Sequence, residues 1–287
     1  MMNDIVVLIY SYKGKNLKDV VDKVFENSSG KRKIKVIVHD QHPLNRINLF
    51  SNPDCSYYHI FWDFIYSPCI SKNSFIKTSL SKYSLILGDT VIVPKNWDED
   101  LINIAQEKNC VISGYGKTIL GLKNLFFLNK QKDYSNEFSI TQYIDRDFIF
   151  SQTSFLSEIK YPTYLKYYGE EEALSIKFFT KGIDIYSAPT GYYEKTSESI
   201  IEQAYVPFSL NHNYNEALSL LKNGVNSFEN INKLQRSVEE FGLFHNNIFQ
   251  SLNNLPFHTN DVEYDPQDLS FNKVDARRYL GNTKAIH

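Results

Sequence analysis

The chain has 287 residues, of which 42% are hydrophobic and 15% aromatic; this is enough apolar material for one large core and excludes a disordered or fibrous protein. Its formal net charge of -2 excludes tight non-specific nucleic-acid binding driven by overall charge. The three cysteines have no metal-ligand spacing and are unlike a secreted disulfide framework, so we expect a reducing, cytoplasmic setting.

The first half of the chain alternates short apolar runs with helical patterns, which is the order that builds a sheet covered by helices. Residues 5–10 form a continuous apolar run, typical of a strand buried on both faces. Asn16 is predicted to cap a helix over residues 17–25, and residues 34–38 are predicted to form the second strand. The right-handed crossover between these strands would place both in one sheet.

Residues 42–68 are predicted to form a loop rich in Pro, Asn and aromatic residues, and the pattern over residues 71–82 is weakly helical. Residues 84–87 predict a buried strand that ends at Gly88 and Asp89. The later predicted elements are an extended segment at 91–93, helices at 97–107, 170–181, 216–221 and 231–241, and strands at 111–112, 148–150 and 183–186. Gly182 is a suitable C-cap for the helix at 170–181.

Several common functional motifs are absent from the sequence. Gly116-Lys117-Thr118 resembles the end of a phosphate-binding loop, but the required earlier glycine is Val111. No GxGxxG follows the first strand, which argues against a dinucleotide-binding Rossmann domain. HExxH and GxSxG patterns are also absent, so the sequence indicates neither that zinc site nor a serine hydrolase.

Two acidic positions are candidates for chemistry. Asp89 closes a central buried strand, where α/β sheets hold ligands, and its carboxylate suits a Mg or Mn ion that bridges a diphosphate. The alternative is that Asp89 only turns the chain. Glu170, Glu171 and Glu172 open a helix, where they either complement its dipole or direct one carboxylate into a cleft as a base.

A series of short motifs occurs in a fixed order along residues 5–243. The motifs are Ser11-Tyr12-Lys13, Gln41, the segment 67–72, Leu87-Gly88-Asp89, the segment 93–98, Tyr168-Gly169-Glu170-Glu171, Thr180-Lys181-Gly182 and the segment 186–189. Together they resemble the GlcNAc-transferase family typified by cytoplasmic enzymes that attach N-acetylglucosamine to hydroxyproline. The resemblance implies a GT-A fold, in which a mixed central sheet is flanked by helices, with a UDP-sugar donor and a Mn²⁺ or Mg²⁺ ion.

The resemblance also implies roles for individual residues. Asp89 would bind the metal, Lys72 would lie near the diphosphate, Tyr12 would stack on the base, and Asp40 would bond the base or ribose. Ser11, Lys13, Gln41 and Gly88 would complete the donor site, and Glu170 and Glu171 would face the acceptor or the transferred sugar as catalytic groups.

Two departures from the family pattern affect the metal site. Leu87 stands where the family has its first Asp, and Glu194, Lys195 or Thr196 stands where the family has its later metal-binding His. Glu194 or His212 would then complete the metal site with Asp89.

The function predicted on this basis is transfer of a hexose or N-acetylhexosamine from a UDP-sugar to a hydroxyl group. The acceptor would be a protein, a glycan or a hydroxymethylated nucleic-acid base; a base would require a local basic cleft, to which residues 31–33 or 277–278 would contribute. The alternative is an inactive module that binds sugar nucleotides or glycans.

We expect residues 1–222 to form the transferase domain and residues 223–287 a helical and irregular extension, with no membrane partner. The oligomeric state stays open.

Overall fold

The computed structural model describes residues 3–12, 14–42, 44–60, 68–114, 136–141, 144–161 and 170–196. All of these residues belong to one compact unit within Met1–Leu252. The predicted helices at 216–221 and 231–241, and the predicted domain boundary after residue 222, lie outside the described residues.

The described residues form an eight-stranded mixed sheet with the strand order β3-β2-β1-β4-β8-β6-β9-β7. The strands are β1 Ile5–Tyr12, β2 Ile34–Gln41, β3 Cys55–Ile60, β4 Tyr83–Gly88, β6 Val111–Ser113, β7 Ser139–Thr141, β8 Phe148–Gln152 and β9 Ile185–Ser187. Strands β3, β2, β1 and β4 are parallel, whereas β8 runs antiparallel to both β4 and β6. The start of β8 therefore lies at the same edge of the sheet as the carboxyl ends of its parallel neighbours.

Helices cover both faces of the sheet. They are α1 Leu17–Glu26, α2 Pro68–Thr78, α3 Trp97–Lys108, α4 Thr153–Ile159 and α5 Glu170–Thr180, with a 3₁₀ helix at Ile47–Leu49. Apolar side chains of α1 and α3 pack on one face, and those of α2, α4 and α5 pack on the other. None of the helices in the described segments is long and apolar enough to cross a membrane.

Strand β1 explains why the core has two layers. Successive side chains of a strand point to opposite faces, and Ile9 packs in the layer with α1 and α3 while Tyr10 packs in the layer with α2 and α5. The strand is buried on both faces from Ile5 to Ser11, as its continuous apolar sequence predicts.

A second, two-stranded sheet follows β4 directly. It pairs β5 Val91–Ile92 with β10 Glu194–Lys195 in an antiparallel ladder. The extended segment predicted at 91–93 is thus confirmed, but it pairs with a distant segment and does not continue the main sheet.

Several short elements were missed by the sequence analysis. The predicted loop at 42–68 contains the 3₁₀ helix and β3, and neither β7 nor α4 was predicted. Both β3 and β7 are edge strands, so each is fixed by one neighbouring strand and carries a weak sequence signal.

The predicted cap of α1 is wrong in its contact. Asn16 occupies the N-cap position, but its side chain makes no capping hydrogen bond. Its amide Nδ2 instead donates to Thr196 Oγ1 at 2.8 Å. A tertiary contact thus replaces the local one, and it ties the start of α1 to the segment after β10.

Candidate functional site

Four carboxylates lie at the edge of the sheet where β1, β2, β4 and β6 end and β8 begins. We call this part of the sheet the acidic edge, and we define it by Asp40, Asp89, Asp145 and Asp147. All four residues are buried, with at most 7% of their surface exposed. Ligands of open α/β sheets bind beyond the carboxyl ends of the strands, so the acidic edge is the candidate site.

Asp89 is held in place by the loop that follows β1. Ser11 Oγ donates to Asp89 Oδ2 at 2.7 Å, and the Gly14 N–H donates to Ser11 Oγ at 3.2 Å. A Cβ atom added to Gly14 would lie only 1.9 Å from Asp89 Oδ2, so the main chain packs directly on this carboxylate. The Asp89 carboxylate is therefore packed against the protein at the acidic edge and is not turned to bulk solvent.

Asp40 lies at the end of β2 and is fully buried. Arg46 Nη2 donates to Asp40 Oδ1 at 2.6 Å and Arg46 Nε to Oδ2 at 2.8 Å, while the Tyr57 hydroxyl donates to Oδ2 at 2.7 Å. Burial and the hydrogen bond to Asp40 raise the pKa of Tyr57 to about 12, so the Tyr57 hydroxyl stays protonated and acts as the donor. The described contacts of Asp40 are thus with the protein's own side chains.

Asp145 and Asp147 share the cation Lys195. Lys195 Nζ lies 3.4 Å from Asp145 Oδ2 and 3.3 Å from Asp147 Oδ2. The Tyr193 hydroxyl donates to Asp145 Oδ2 at 2.9 Å, and the Tyr10 hydroxyl donates to Asp147 Oδ1. These contacts connect β1, β8 and β10 through a buried polar network.

The network shifts the pKa values of its charged groups. Burial acts to raise the pKa of Asp147, but the positive charges of Lys195 and Arg146 and the Tyr10 hydrogen bond outweigh it and hold that pKa well below its ordinary value. Burial acts to lower the pKa of Lys195, but Asp145 and Asp147 outweigh it and raise that pKa. Both groups are therefore charged at neutral pH.

Lys72 and Glu170 form a buried ion pair between α2 and α5. Lys72 Nζ donates to Glu170 Oε1 at 2.5 Å, and it lies 4.4 Å from the centre of the Tyr10 ring and 5.0 Å from that of Tyr161. Lys72 is 0% exposed and Glu170 is 2% exposed. The ammonium group is therefore enclosed by one carboxylate and two aromatic rings.

Glu171 has a different environment. It is half-buried, and its Oε1 accepts a hydrogen bond from the Arg146 N–H at 3.2 Å. The neighbouring residue Asp147 accepts a hydrogen bond from the Gly88 N–H at its carbonyl oxygen, 2.9 Å away. Glu171 thus approaches the acidic edge close to the end of β4.

The structure brings together some of the predicted site residues and separates others. Ser11 contacts Asp89, as described above. Lys72 instead pairs with Glu170 and contacts Tyr10, whose neighbour Ser11 points to the opposite face of β1. The predicted role of Lys72 at a diphosphate stays a prediction.

The remaining predicted residues are placed as follows. Gln41 is buried at the end of β2, and Gly88 ends β4 at the acidic edge. Glu194 is exposed on β10 opposite Ile92. Tyr12 belongs to β1, but its side chain lies outside the description, as do Lys13 and His212.

The metal prediction is not decided by the described residues. Within the ranges that the structure describes, no group of three His, Cys, Asp or Glu side chains is placed to hold a metal ion. The predicted ligand His212 lies outside those ranges, so the site formed with Asp89 and Glu194 stays a prediction.

Sequence reasoning missed Arg46, Asp145, Asp147 and Lys195. Arg46 lies in the segment predicted to be only a loop. The Asp145-Arg146-Asp147 segment directly precedes the predicted strand at 148–150, but a strand start is at the ligand edge only if the strand is antiparallel. That direction could not be inferred from the sequence.

Comparison with known proteins supports the fold. No family model matches the chain, and no curated protein matches it. Among solved structures, residues 1–349 of S. aureus TarS, a glycosyltransferase with a GT-A-like fold, match 94% of this chain and 77% of their own length. The TM-score is 0.57 and the sequence identity 14%. The predicted fold class, a mixed central sheet flanked by helices as in a glycosyltransferase, is confirmed; at this identity the likeness concerns the fold alone.

Proposed function

We propose that the protein is a glycosyltransferase of the GlcNAc-transferase type, which moves a hexose or N-acetylhexosamine from a UDP-sugar to a hydroxyl acceptor in the cytoplasm. The observation that carries this proposal is the position of Asp89. Its carboxylate is buried against Gly14 at the end of a central parallel strand, where a fold of this class binds its ligand. The fold likeness to a glycosyltransferase supports a sugar nucleotide as the ligand at this position.

The donor diphosphate requires positive charge as it leaves with the nucleotide. A Mn²⁺ or Mg²⁺ ion would stabilise that charge when bound. Mg²⁺ is commonly held by one or two carboxylates together with water and substrate phosphates, so a single buried carboxylate such as Asp89 fits this mode of binding. We propose Asp89 as the principal ligand, with Glu194 and His212 as the further candidates.

Glu171 is the better candidate for the base that accepts the proton of the acceptor hydroxyl. It is half-buried beside the acidic edge, and its described hydrogen bond uses only one carboxylate oxygen. Glu170 is instead paired with Lys72 in the interior, so we assign it the task of holding α2 and α5 together. A general base of this kind contributes about 10²- to 10⁴-fold in rate.

The proposal is tested by UDP-sugar hydrolysis and transfer with Mn²⁺, using the wild type and Asp89→Asn. We expect wild-type turnover and its loss in Asp89→Asn, because the substitution removes the anionic charge with little change in shape. Asp54→Asn is the matched control, since Asp54 is exposed, and it should leave turnover unchanged. A wild type that neither turns over nor binds any UDP-sugar would contradict the proposal.

The second candidate is an inactive module that binds sugar nucleotides or glycans. Leu87 favours it, because this residue stands where the family has its first Asp. Binding of UDP-sugars without hydrolysis or transfer to any acceptor would support this candidate over the first.

A further inference from the structure

Arg46 connects the end of β2 to the loop that follows β1. Its Nε and Nη2 atoms donate to the two carboxylate oxygens of Asp40, and its Nη1 donates to the Gly14 carbonyl oxygen at 2.5 Å. The Gly14 N–H then donates to Ser11 Oγ, which donates to Asp89. A continuous series of hydrogen bonds therefore runs from Asp40 to Asp89.

Steric contact at Gly14 makes this series a constraint on Asp89. A Cβ atom at Gly14 would lie 1.9 Å from Asp89 Oδ2 and 2.8 Å from Ser11 Oγ. The backbone at Gly14 is therefore in close contact with both side chains. If Gly14 lost its contact with Arg46, the carboxylate of Asp89 would lose the surface against which it rests.

Asp40 has little capacity left for a ligand. Its Oδ2 accepts hydrogen bonds from both Arg46 and Tyr57, its Oδ1 accepts one from Arg46, and the residue is 0% exposed. Such a bidentate, charge-assisted pair is among the stronger hydrogen-bonded contacts in proteins. A nucleoside that displaced Arg46 would leave a buried charge without compensation, which is strongly unfavourable.

We propose that Arg46 is a positioning residue of the nucleotide site and that Asp40 acts on the nucleotide through Arg46, without binding the base or ribose itself. Asp40 and Tyr57 orient Arg46, Arg46 fixes Gly14, and Gly14 fixes Asp89 toward the diphosphate. This inference rests on the proposed function. It replaces the direct contact between Asp40 and the nucleoside that the family resemblance implies.

The first test measures affinity for UDP, CDP and ADP by titration calorimetry in the wild type, Asp40→Asn, Arg46→Lys and the double variant. Each single substitution should weaken binding of all three nucleotides by one common factor, on the order of tenfold or more, as for other misplaced supporting contacts. The double variant should bind no more weakly than the weaker single variant, because both changes break the same series of contacts.

The outcomes separate this inference from the proposed function. If the wild type binds while Asp40→Asn changes the order of the three affinities, Asp40 contacts the base and the inference is wrong. Additive losses in the double variant would overturn it as well. A wild type that binds none of the three nucleotides would contradict the proposed function, and the positioning role with it.

A second test needs no ligand and keeps the charge at position 46. Residue-resolved hydrogen exchange should show that Arg46→Lys speeds exchange of the Gly14 amide, since a lysine cannot hold both Asp40 and Gly14 with the planar fork of arginine. Lys31→Met is the matched control, because Lys31 forms an exposed pair with Glu99, and it should leave that amide unchanged. Equal exchange in Arg46→Lys and the wild type would overturn the proposal.

Discussion

The two adjacent glutamates of α5 show how strongly a side chain's surroundings decide its use. Glu170 is enclosed with Lys72, whereas Glu171 is half-buried and hydrogen-bonded to the Arg146 main chain. From the sequence both residues were candidates for catalysis, because three consecutive carboxylates differ only in the helical face on which they lie. The buried lysine that distinguishes Glu170 comes from a distant helix, and no local pattern indicates it.

These surroundings predict opposite results for the two glutamine variants. Glu170→Gln should lower the free energy of unfolding by about 3–5 kcal/mol, because it leaves Lys72 buried without its partner. Glu171→Gln should keep that stability and lose about 10²- to 10⁴-fold in turnover. Urea unfolding and sugar-transfer rates measure the two effects.

The matched control for Glu170→Gln is the double variant with Lys72→Met, which should recover stability because no unpaired charge remains. A folded but inactive Glu170→Gln beside an active Glu171→Gln would reverse the two assignments.

His39 predicts a pH dependence of stability. Burial lowers its pKa to about 4, against about 6.5 in an unfolded chain. Between these values the unfolded chain binds a proton that the folded chain does not, so stability falls as the pH falls through this window, by up to about 1.4 kcal/mol per pH unit. His39→Gln should lose less stability than the wild type between pH 7 and pH 4.5 in urea titrations. An equal loss in both proteins would show that His39 does not contribute.

At the scale of elements, the strand direction of β8 is the feature that the sequence could not provide. The strand itself was predicted at 148–150, but its reversal is what brings Asp145 and Asp147 to the acidic edge. The missed elements β3, β7 and α4 have a similar cause, because short segments depend on their neighbours more than on their own propensity. Long apolar runs, such as β1 and β4, were predicted because burial on both faces leaves a clear pattern.

Lys195 connects the two-stranded sheet of β5 and β10 to the acidic edge, and its contacts predict the effect of Lys195→Met. The substitution keeps the size of the side chain but leaves Asp145 and Asp147 without the cation they share, so we expect a loss of about 3–5 kcal/mol in urea unfolding at pH 7. Because the folded-state pKa of Asp147 is depressed, this stabilisation is fully present when the pH is above the ordinary pKa of an aspartate. It is lost as the pH falls through the folded-state pKa. The difference between the variant and the wild type should therefore shrink in acid.

The control for Lys195→Met is Lys18→Met, which breaks an exposed pair with Asp22 and should have no measurable effect. Equal effects of the two substitutions would show that the buried network adds nothing to the attachment of β10.

At the scale of the whole molecule, the alternation of strands and helices was sufficient for the fold class but not for the topology. The right-handed crossover predicted that β1 and β2 lie in one sheet, and this is confirmed, since the two strands pair in parallel. The positions of β8 between β4 and β6, and of β9 between β6 and β7, are long-range pairings that leave no local signal. The site residues divide in the same way: Gly88 and Asp89 were proposed from a strand end and Ser11 from the family resemblance, whereas Arg46 and Lys195 required the tertiary structure.

Three glycines at the strand ends have a consequence for how this protein can be changed. Gly14 lies against Asp89, Gly88 against Asp147 and Gly114 against Asp145, so that an added Cβ would lie within 3.0 Å of a carboxylate oxygen at each position. A substitution that adds a side chain at any of these positions would therefore displace the neighbouring carboxylate. New specificity has to be engineered from the surrounding loops, while these backbone positions stay bare.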